Sequence, residues 1–441
     1  MSATHRIPQF VEWQITAKCN LNCIHCSARH RNPRQDLTTP AATALVHELI
    51  DANLKSITFS GGEPLLRDDW ELLAGILKEN NVSVQLISNG QHLGEDAARR
   101  ISRLGINFVW LSLDGPEQAH NTIRQDPKAF SRVMAAASHL EAMAVPYGFM
   151  TTLLATNFDQ LPELGDIVRD TACALWQVWL GNKTSDAPIW LKPAQIHQII
   201  EQLPILRRHT PQLIIGDNIG YGNALERLRS PEFVEYSAAS RFTGCFGANT
   251  IMGILNDGTI KGCLSMPDLH PATSSPASLY QRYLEAMTLH QISVAQALSQ
   301  CAGCAIAQKC NGGCPAWALS SNSDSRTRFC REQAAQQPLR TAAITASLAT
   351  ICAITGPHCQ PSRAPQNTVH TAWSDTSTAD DTTALPKPPA TPSTERAADI
   401  PITTLDTAIH PKIKSPVPEA TAAVNRNGNR ITSGTSPKPR N

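Results

Sequence analysis

The chain has 441 residues, room for two or three domains, and a formal net charge of +1 with 17% charged residues. So even a balance gives no global field to gather nucleic acid or an acidic partner, and a hydrophobic fraction of 41% supports a real core. No stretch approaches the ~18 apolar residues of a membrane span, and Arg6 and Pro8 interrupt the segment where a signal peptide would carry its apolar run. A cytoplasmic, reducing setting follows, with no membrane partner.

The first part of the chain predicts a repeating strand-then-helix rhythm. Phe10 to Thr16 is a first strand. Thr38 to Leu54 predicts a helix, capped by Thr38 or Thr39 with Pro40 in its first turn, and Leu45, Val46, Leu49 and Ile50 form one apolar stripe. Strand Ser56 to Ser60 runs into Gly61-Gly62-Glu63-Pro64. There follow a helix from Asp68 to Glu79, strand Val82 to Ser88, a helix near Glu95 to Leu104 and strand Asn107 to Leu113. Lys128 to Met143 is helical, Tyr147 to Leu154 a strand, Asp159 to Thr171 a helix and Leu175 to Leu180 a sixth strand. Six units are too few for a closed eight-unit barrel, so the predicted class is α/β, an open partial (β/α)6 barrel over residues 10–235. Its chemistry is expected at the C-terminal ends of the strands.

Pro193 to Arg208 predicts one more helix and Leu213 to Ile215 a short strand. Glycine and cysteine dominate from Thr243 to Phe329, with little periodicity, which suggests a small domain at 240–335 held together by metal. A helix is expected over 336–355. Residues 361–441 contain 12 of the chain's 31 prolines with many Ser and Thr. Such a segment cannot bury enough apolar surface to offset its ordering entropy, so 360–441 is expected to be a disordered tail.

Thirteen cysteines need an explanation in a reducing compartment. They are clustered rather than spread as in a disulfide scaffold: Cys19, Cys23 and Cys26, then Cys245 and Cys263, then Cys301, Cys304, Cys310, Cys314 and Cys330. The stretch Cys19-Asn20-Leu21-Asn22-Cys23-Ile24-His25-Cys26 directly follows the first strand. Three thiolates on one short loop can each bind one iron of a 4Fe–4S cluster and leave the fourth iron open to a small molecule. A zinc site with His25 as fourth ligand is the plainer alternative.

The C-x3-C-x2-C spacing resembles the signature of the radical S-adenosylmethionine superfamily. In that family a residue at the place of His25 contacts the adenine of S-adenosylmethionine, and a Gly-Gly-Glu turn after the second strand binds the cofactor's amino group. Gly61, Gly62 and Glu63 stand there. Ser88-Asn89-Gly90 and Ser112-Leu113-Asp114-Gly115, closing the third and fourth strands, resemble family positions that line the cofactor or substrate side of the barrel. Arg124 is a candidate partner for the cofactor carboxylate through its planar fork, with an ordinary surface arginine as the alternative. Asn157 is a weaker candidate.

The later cysteines resemble the SPASM extension found after many such barrels. Cys245 is followed by twelve residues, Gly258, four residues and Cys263, then by Cys301-x2-Cys304-x5-Cys310-x3-Cys314, a gap and Cys330. The resemblance implies two auxiliary 4Fe–4S clusters, one held by Cys301, Cys304, Cys310 and Cys330 and the other by Cys245, Cys263 and Cys314. Some members supply an eighth cysteine about six residues after the first; Ile251 stands there. That cluster then has three thiolates, unless Cys352, Cys359 or a residue of another type completes it. Cys173, Cys352 and Cys359 otherwise match nothing and read as structural.

The resemblance implies that the first cluster, fed by a reductant such as flavodoxin or ferredoxin, cleaves S-adenosylmethionine to a 5′-deoxyadenosyl radical that removes a substrate hydrogen. It implies most often a ribosomally made precursor peptide or protein as substrate, with a haem or quinone precursor as the alternative and a non-catalytic electron carrier as a third. Asp217, Asn218 and Tyr221 are candidates for a substrate cleft, with loop structure the plainer account. Because the first strand opens near residue 10, no N-terminal peptide-recognition domain is expected.

Overall fold

Alternating burial along the first strand sets the plan of the sheet. In β1 (Phe10–Thr16) Val11, Trp13 and Ile15 are buried while Phe10, Glu12 and Gln14 are half-buried, the period of two that separates a packed face from an open one. A computed structural model describes residues 7–26, 34–183, 187–219, 247–266, 278–299 and 313–316, with positions 185, 245 and 301. From β1 the sheet runs outward in chain order through β2 (Ser56–Gly61), β3 (Ser83–Ser88), β4 (Phe108–Ser112), β5 (Tyr147–Leu153), β6 (Leu175–Leu180) and β7 (Leu213–Ile215). Every one of these neighbours pairs in parallel.

Each crossover carries helix: α1 (Thr39–Asp51), α2 (Trp70–Glu79), α3 (Glu95–Arg103), α4 (Glu117–Arg124) with α5 (Ala129–Ala142), α6 (Leu161–Arg169) and α7 (Pro193–His209). The strand register places Trp13, Phe59, Leu86, Val109, Leu111, Phe149 and Trp176 on one face. That face meets Leu45 and Leu49 of α1, Leu73 and Leu77 of α2, Ile101 of α3, Val133 and Leu140 of α5 and Leu164 and Val168 of α6 in one continuous core. The opposite face carries Glu12, Thr58, Gln85, Trp110, Ser112, Met150, Gln177 and Trp179, and there Trp110 Nε1 donates to Gln85 Oε1 at 3.1 Å. This is the open partial barrel expected from the six β/α units, with an apolar outside under helices and an inside where polar and aromatic side chains mix.

Local agreement is close, and the differences have causes. Thr38 caps α1 by accepting from the Ala41 N–H. The helix expected over Asp159 to Thr171 divides into a 3-10 turn at Phe158–Gln160 and α6, because Pro162 in the first turn of α6 has no N–H to continue the earlier turn. Helix α4 lacks a long apolar stripe and was not anticipated, and Arg124 is its last residue.

The cysteine-rich stretch differs most. β8 (Ile251–Ile254) pairs in parallel with the free edge of β1, from Phe10 opposite Ile251 to Trp13 opposite Ile254. β9 (Ile260–Lys261) returns antiparallel through a turn in which Gly258 has φ +85°, the left-handed region that favours glycine. A 21-residue helix, α8 (Leu279–Ser299), follows. Its buried face runs Leu279, Tyr283, Ala286, His290 and Ser293, so two polar residues blur the apolar period that would have revealed it. The expected break near 235–240, the helix at 336–355 and the tail at 360–441 lie outside the described residues.

Arg67 ties the reaction end of the barrel together. Buried, it donates from Nη1 to the Ile15 carbonyl at 2.6 Å and from Nη2 to the Leu37 carbonyl at 2.9 Å, and it pairs with Asp69. Replacing it by alanine leaves those carbonyls and a carboxylate without their donor. Urea unfolding of Arg67→Ala should show a loss of roughly 2–4 kcal/mol; a change below about 0.5 kcal/mol would contradict this role.

Candidate active site

The ends of four strands converge where the sequence places the cysteine loop. Gly62 N–H donates to the Thr16 carbonyl at 2.9 Å and Glu63 N–H to the Lys18 carbonyl at 2.8 Å, so the Gly-Gly-Glu turn lies directly on the backbone leading into Cys19. A Cβ on Gly61 or Gly62 would collide with the Thr16 or Lys18 carbonyl oxygen, and Gly61 also has φ +141°. These glycines permit a backbone approach that no other residue allows. On the far side Thr16 Oγ1 and the Ala17 N–H both donate to Asp36, at 2.5 and 2.8 Å, and Asn256 Nδ2 donates to the same carboxylate at 2.8 Å.

Glu63 is fully buried and its carboxylate is spent inside the protein. Oε1 accepts from Ser88 Oγ at 2.9 Å and from the Leu65 N–H at 3.3 Å, and Oε2 from the Asn89 N–H at 2.8 Å. Burial pushes its pKa up to about 7 against the pull of those donors. Glu63 therefore fastens the end of β2 to the end of β3. Asn89 carries the link to the cysteine loop: Nδ2 donates to Asn20 Oδ1 at 2.8 Å and lies 3.8 Å from Cys19 Sγ.

The second half of the site is built on Asp114, which has no exposure. Burial works against its charge, yet the Arg124 guanidinium beside it holds its carboxyl below the usual range. Arg124 Nε is 2.7 Å from Asp114 Oδ2, His25 Nε2 is 3.9 Å from the same oxygen, and Arg124 Nη1 is 3.8 Å from Cys23 Sγ. Arg124 is thus a buried member of the site and not a surface arginine. The Ile24 N–H also donates to the Ile123 carbonyl at 3.0 Å, pinning the loop to α4. Asn157 holds the Asp114 segment, donating to the Asp114 carbonyl at 2.6 Å and to Thr152 at 2.9 Å. Ser112 is half-buried at the end of β4.

Two observations test whether these residues suit the groups that the sequence implies. Among the described residues no three Cys, His, Asp or Glu side chains are arranged to hold a single metal ion. Three thiols that each take a different iron need no such convergence. His25 Nδ1 is buried with no hydrogen-bond partner among the described residues, and burial drives its pKa down to about 4. A neutral ring with an orphaned nitrogen beside the thiols is what a bound purine would satisfy. The residues fit both groups.

The later cysteines are described in part. Cys245 Sγ accepts from the Gly247 N–H at 3.3 Å and Cys263 Sγ from the Ser265 N–H at 3.4 Å, and burial pushes the Cys263 thiol up. The Ala248 N–H donates to both the Ile251 and Gly262 carbonyls at 2.8 Å, joining the two cysteine segments. Cys301 and Cys314 are half-buried, whereas Cys304, Cys310, Cys330, Cys352 and Cys359 lie outside the described residues. Cys173 is buried against the Val168 carbonyl, a structural place. Asn218 is structural too, bonding both the N–H and the carbonyl of Leu180 at 3.0 and 2.6 Å; Tyr221 lies outside the described residues.

Sequence reasoning missed His120, whose only signal was its place four residues before Arg124 on one helix face. It is buried, and its Nδ1 accepts from the Asp114 N–H at 3.0 Å. Burial, aided by Arg124, lowers its pKa to about 3. The unfolded chain therefore binds more protons than the native one between about pH 3 and 6.5, and stability rises with pH through that window. His25 has the same sign, while Glu63, raised to about 7, opposes it between about pH 4.5 and 7. Unfolding curves at pH 5 and pH 7.5 should differ by about 2 kcal/mol less in His120→Gln than in the wild type; an unchanged difference would contradict a neutral buried His120.

Comparison with known proteins bears on this geometry. Residues 13–167 match the Radical SAM superfamily. The AdoMet-dependent heme synthase of Methanosarcina barkeri is 24% identical over 280 residues, covering 61% of this chain and 80% of that protein. The mycofactocin maturase MftC of Mycolicibacterium smegmatis is 23% identical over 321 residues, covering 70% of this chain and 78% of that one. The crystal structure of Streptococcus suis SuiB bound to precursor peptide SuiA superposes with a TM-score of 0.56 at 15% identity, over 75% of this chain and 76% of SuiB, a likeness of fold. The matched span opens inside β1 and takes in the cysteine loop, the Gly-Gly-Glu turn, Asp114 and Arg124: this chain carries a radical SAM domain.

Proposed function

We propose that this chain is a radical SAM enzyme that modifies a ribosomally made peptide or protein by hydrogen abstraction, forming a crosslink or thioether. The carrying observation is the convergence of the three-thiol loop, the Gly61–Glu63 turn and the Asp114–Arg124 pair at the C-terminal edge of one parallel sheet. Cys19, Cys23 and Cys26 would hold a 4Fe–4S cluster that, when bound, supplies the electron for reductive cleavage of S-adenosylmethionine to a 5′-deoxyadenosyl radical. No helix of the described residues is long and apolar enough to cross a membrane; a cytoplasmic setting with a flavodoxin or ferredoxin reductant suits this chemistry.

The protein's own residues prepare the place. Backbone carbonyls of the Gly61–Gly62 turn would accept from the amino end of the cofactor, because the Gly62 N–H is bonded to Thr16 and the Glu63 side chain is already engaged with β3. His25 presents its unpaired nitrogen to the adenine. With Nε committed to Asp114, Arg124 has the rest of its fork to meet a carboxylate beside Cys23. The inner face, with Gln85, Trp110, Ser112 and Gln177, would give the substrate a walled and oriented approach, which limits quenching of the radical by anything but its target. The SPASM-like cysteines would hold the auxiliary clusters. Cys301, Cys304, Cys310 and Cys330 would form one complete set, and Cys245, Cys263 and Cys314 the other.

The mycofactocin maturase similarity, spanning 70% of this chain, supports a peptide. The heme synthase similarity favours a second reading, a haem-precursor substrate. Anaerobic turnover with a candidate precursor peptide whose side chains are deuterated should place deuterium in 5′-deoxyadenosine and change the peptide mass. An unaltered peptide, with label transfer from a deuterated porphyrin instead, would overturn the peptide assignment. Arg124→Ala should lower kcat/KM for S-adenosylmethionine cleavage roughly 10- to 100-fold, the effect of losing one charge-assisted contact of about 1.5–3 kcal/mol. Equal cleavage kinetics in the variant would remove Arg124 from the site.

A further inference from the structure

Helix α8 buries a histidine where the fold has no evident use for one. His290 is 3% exposed on the packed face of α8, and neither ring nitrogen has a hydrogen-bond partner among the described residues. A buried imidazole that makes no hydrogen bond is disfavoured over any apolar side chain of similar size. The ring is also held closely. A Cβ on Gly247 would fall 2.6 Å from His290 Cε1 and 2.9 Å from Nε2, and one on Gly262 would fall 2.7 Å from Nδ1. Both glycines are therefore required by the ring, and both are neighbours of cysteines: Gly247 lies two residues after Cys245, and Gly262 immediately precedes Cys263. Tyr283, two helical turns earlier on the same face, fixes the helix to that segment by donating from its hydroxyl to the Ala248 carbonyl at 2.7 Å.

We propose that His290 is the fourth protein ligand of the iron–sulfur centre held by Cys245, Cys263 and Cys314, taking the place that a cysteine fills in relatives with an eighth one. The inference rests on the reading that these three cysteines bind an auxiliary cluster. Each ligand of such a cluster reaches its own iron, so ring and thiols need not meet at a point. The N–H donors to Cys245 and Cys263 are the contacts that stabilise thiolates on a cluster. A neutral imidazole in place of a thiolate makes the centre less negative by one charge and easier to reduce, the direction in which histidine ligation shifts iron–sulfur potentials. The site is then a closed, four-ligand electron acceptor with no open iron for substrate.

The test uses the full chain, reconstituted anaerobically with iron and sulfide, with Cys19, Cys23 and Cys26 replaced by alanine so that only auxiliary signals remain. Pulsed EPR of the reduced protein labelled with 15N-histidine should show a nitrogen coupling that changes with the isotope and vanishes in His290→Ala. Because alanine could cost the fold, His290→Cys is the companion variant: it should keep the iron content, lose the coupling and move the cluster's midpoint potential downward. A coupling that persists in either variant, or a centre bound to Cys245 and Cys263 with no histidine coupling in the parent, would overturn the assignment of His290. Iron content that does not fall when Cys245 and Cys263 are replaced would overturn the auxiliary-centre reading itself and the ligand with it.

Discussion

Two chain segments meet backbone to backbone at Thr16–Lys18 and Gly61–Glu63, and the rest of the reaction end depends on that approach. The glycines remove the side chains that would hold the segments apart, and two N–H···O bonds close the gap. The exit of β1 is thereby fixed against the exit of β2, which sets the position of Cys19. The cysteine loop is then held from three sides: by the turn, by Asp36 with Asn256, and by α4 through Ile123 and Arg124. A loop with little apolar content has its geometry imposed by its neighbours rather than by its own packing.

Buried charge is used sparingly and always in company. Glu63 is surrounded by donors from the next strand, and Asp114 by Arg124 and two neutral histidines. Removing either partner of such a set leaves a charge in a low-dielectric interior, so these groups hold one arrangement against alternatives. The histidines are neutral because burial and Arg124 disfavour their protonation, which keeps one ring nitrogen of His25 available as an acceptor beside the thiols. Electrostatics and positioning are here one design: the residues that fix the loop also set the charge around it.

Much of this was legible in the sequence because period-two and helical patterns are strong where one face of an element is wholly apolar. β1, β6 and β7 begin and end where the pattern says. The cysteine spacing and the Gly-Gly-Glu turn pointed to the same end of the sheet before any geometry was known. What escaped detection had a physical cause. The residues of α4 face the site rather than a core, so its polar His120 and Arg124 read as surface. β8 and β9 have four and two residues, too short for a period. α8 hides its packing face behind His290 and Ser293. Internal partners are also invisible to spacing: nothing in the sequence tells that Glu63 bonds Ser88 and Asn89.

The central claim is that three thiols on the loop after β1 create an iron with a coordination position left for S-adenosylmethionine. It is tested most directly by measuring 5′-deoxyadenosine released by anaerobically reconstituted, dithionite-reduced protein with no substrate added. The account predicts steady release by the wild type and release at the protein-free background when Cys19, Cys23 or Cys26 is replaced by alanine with the fold intact by circular dichroism. Background release from iron-replete wild type, or undiminished release from any of the three variants, would contradict it.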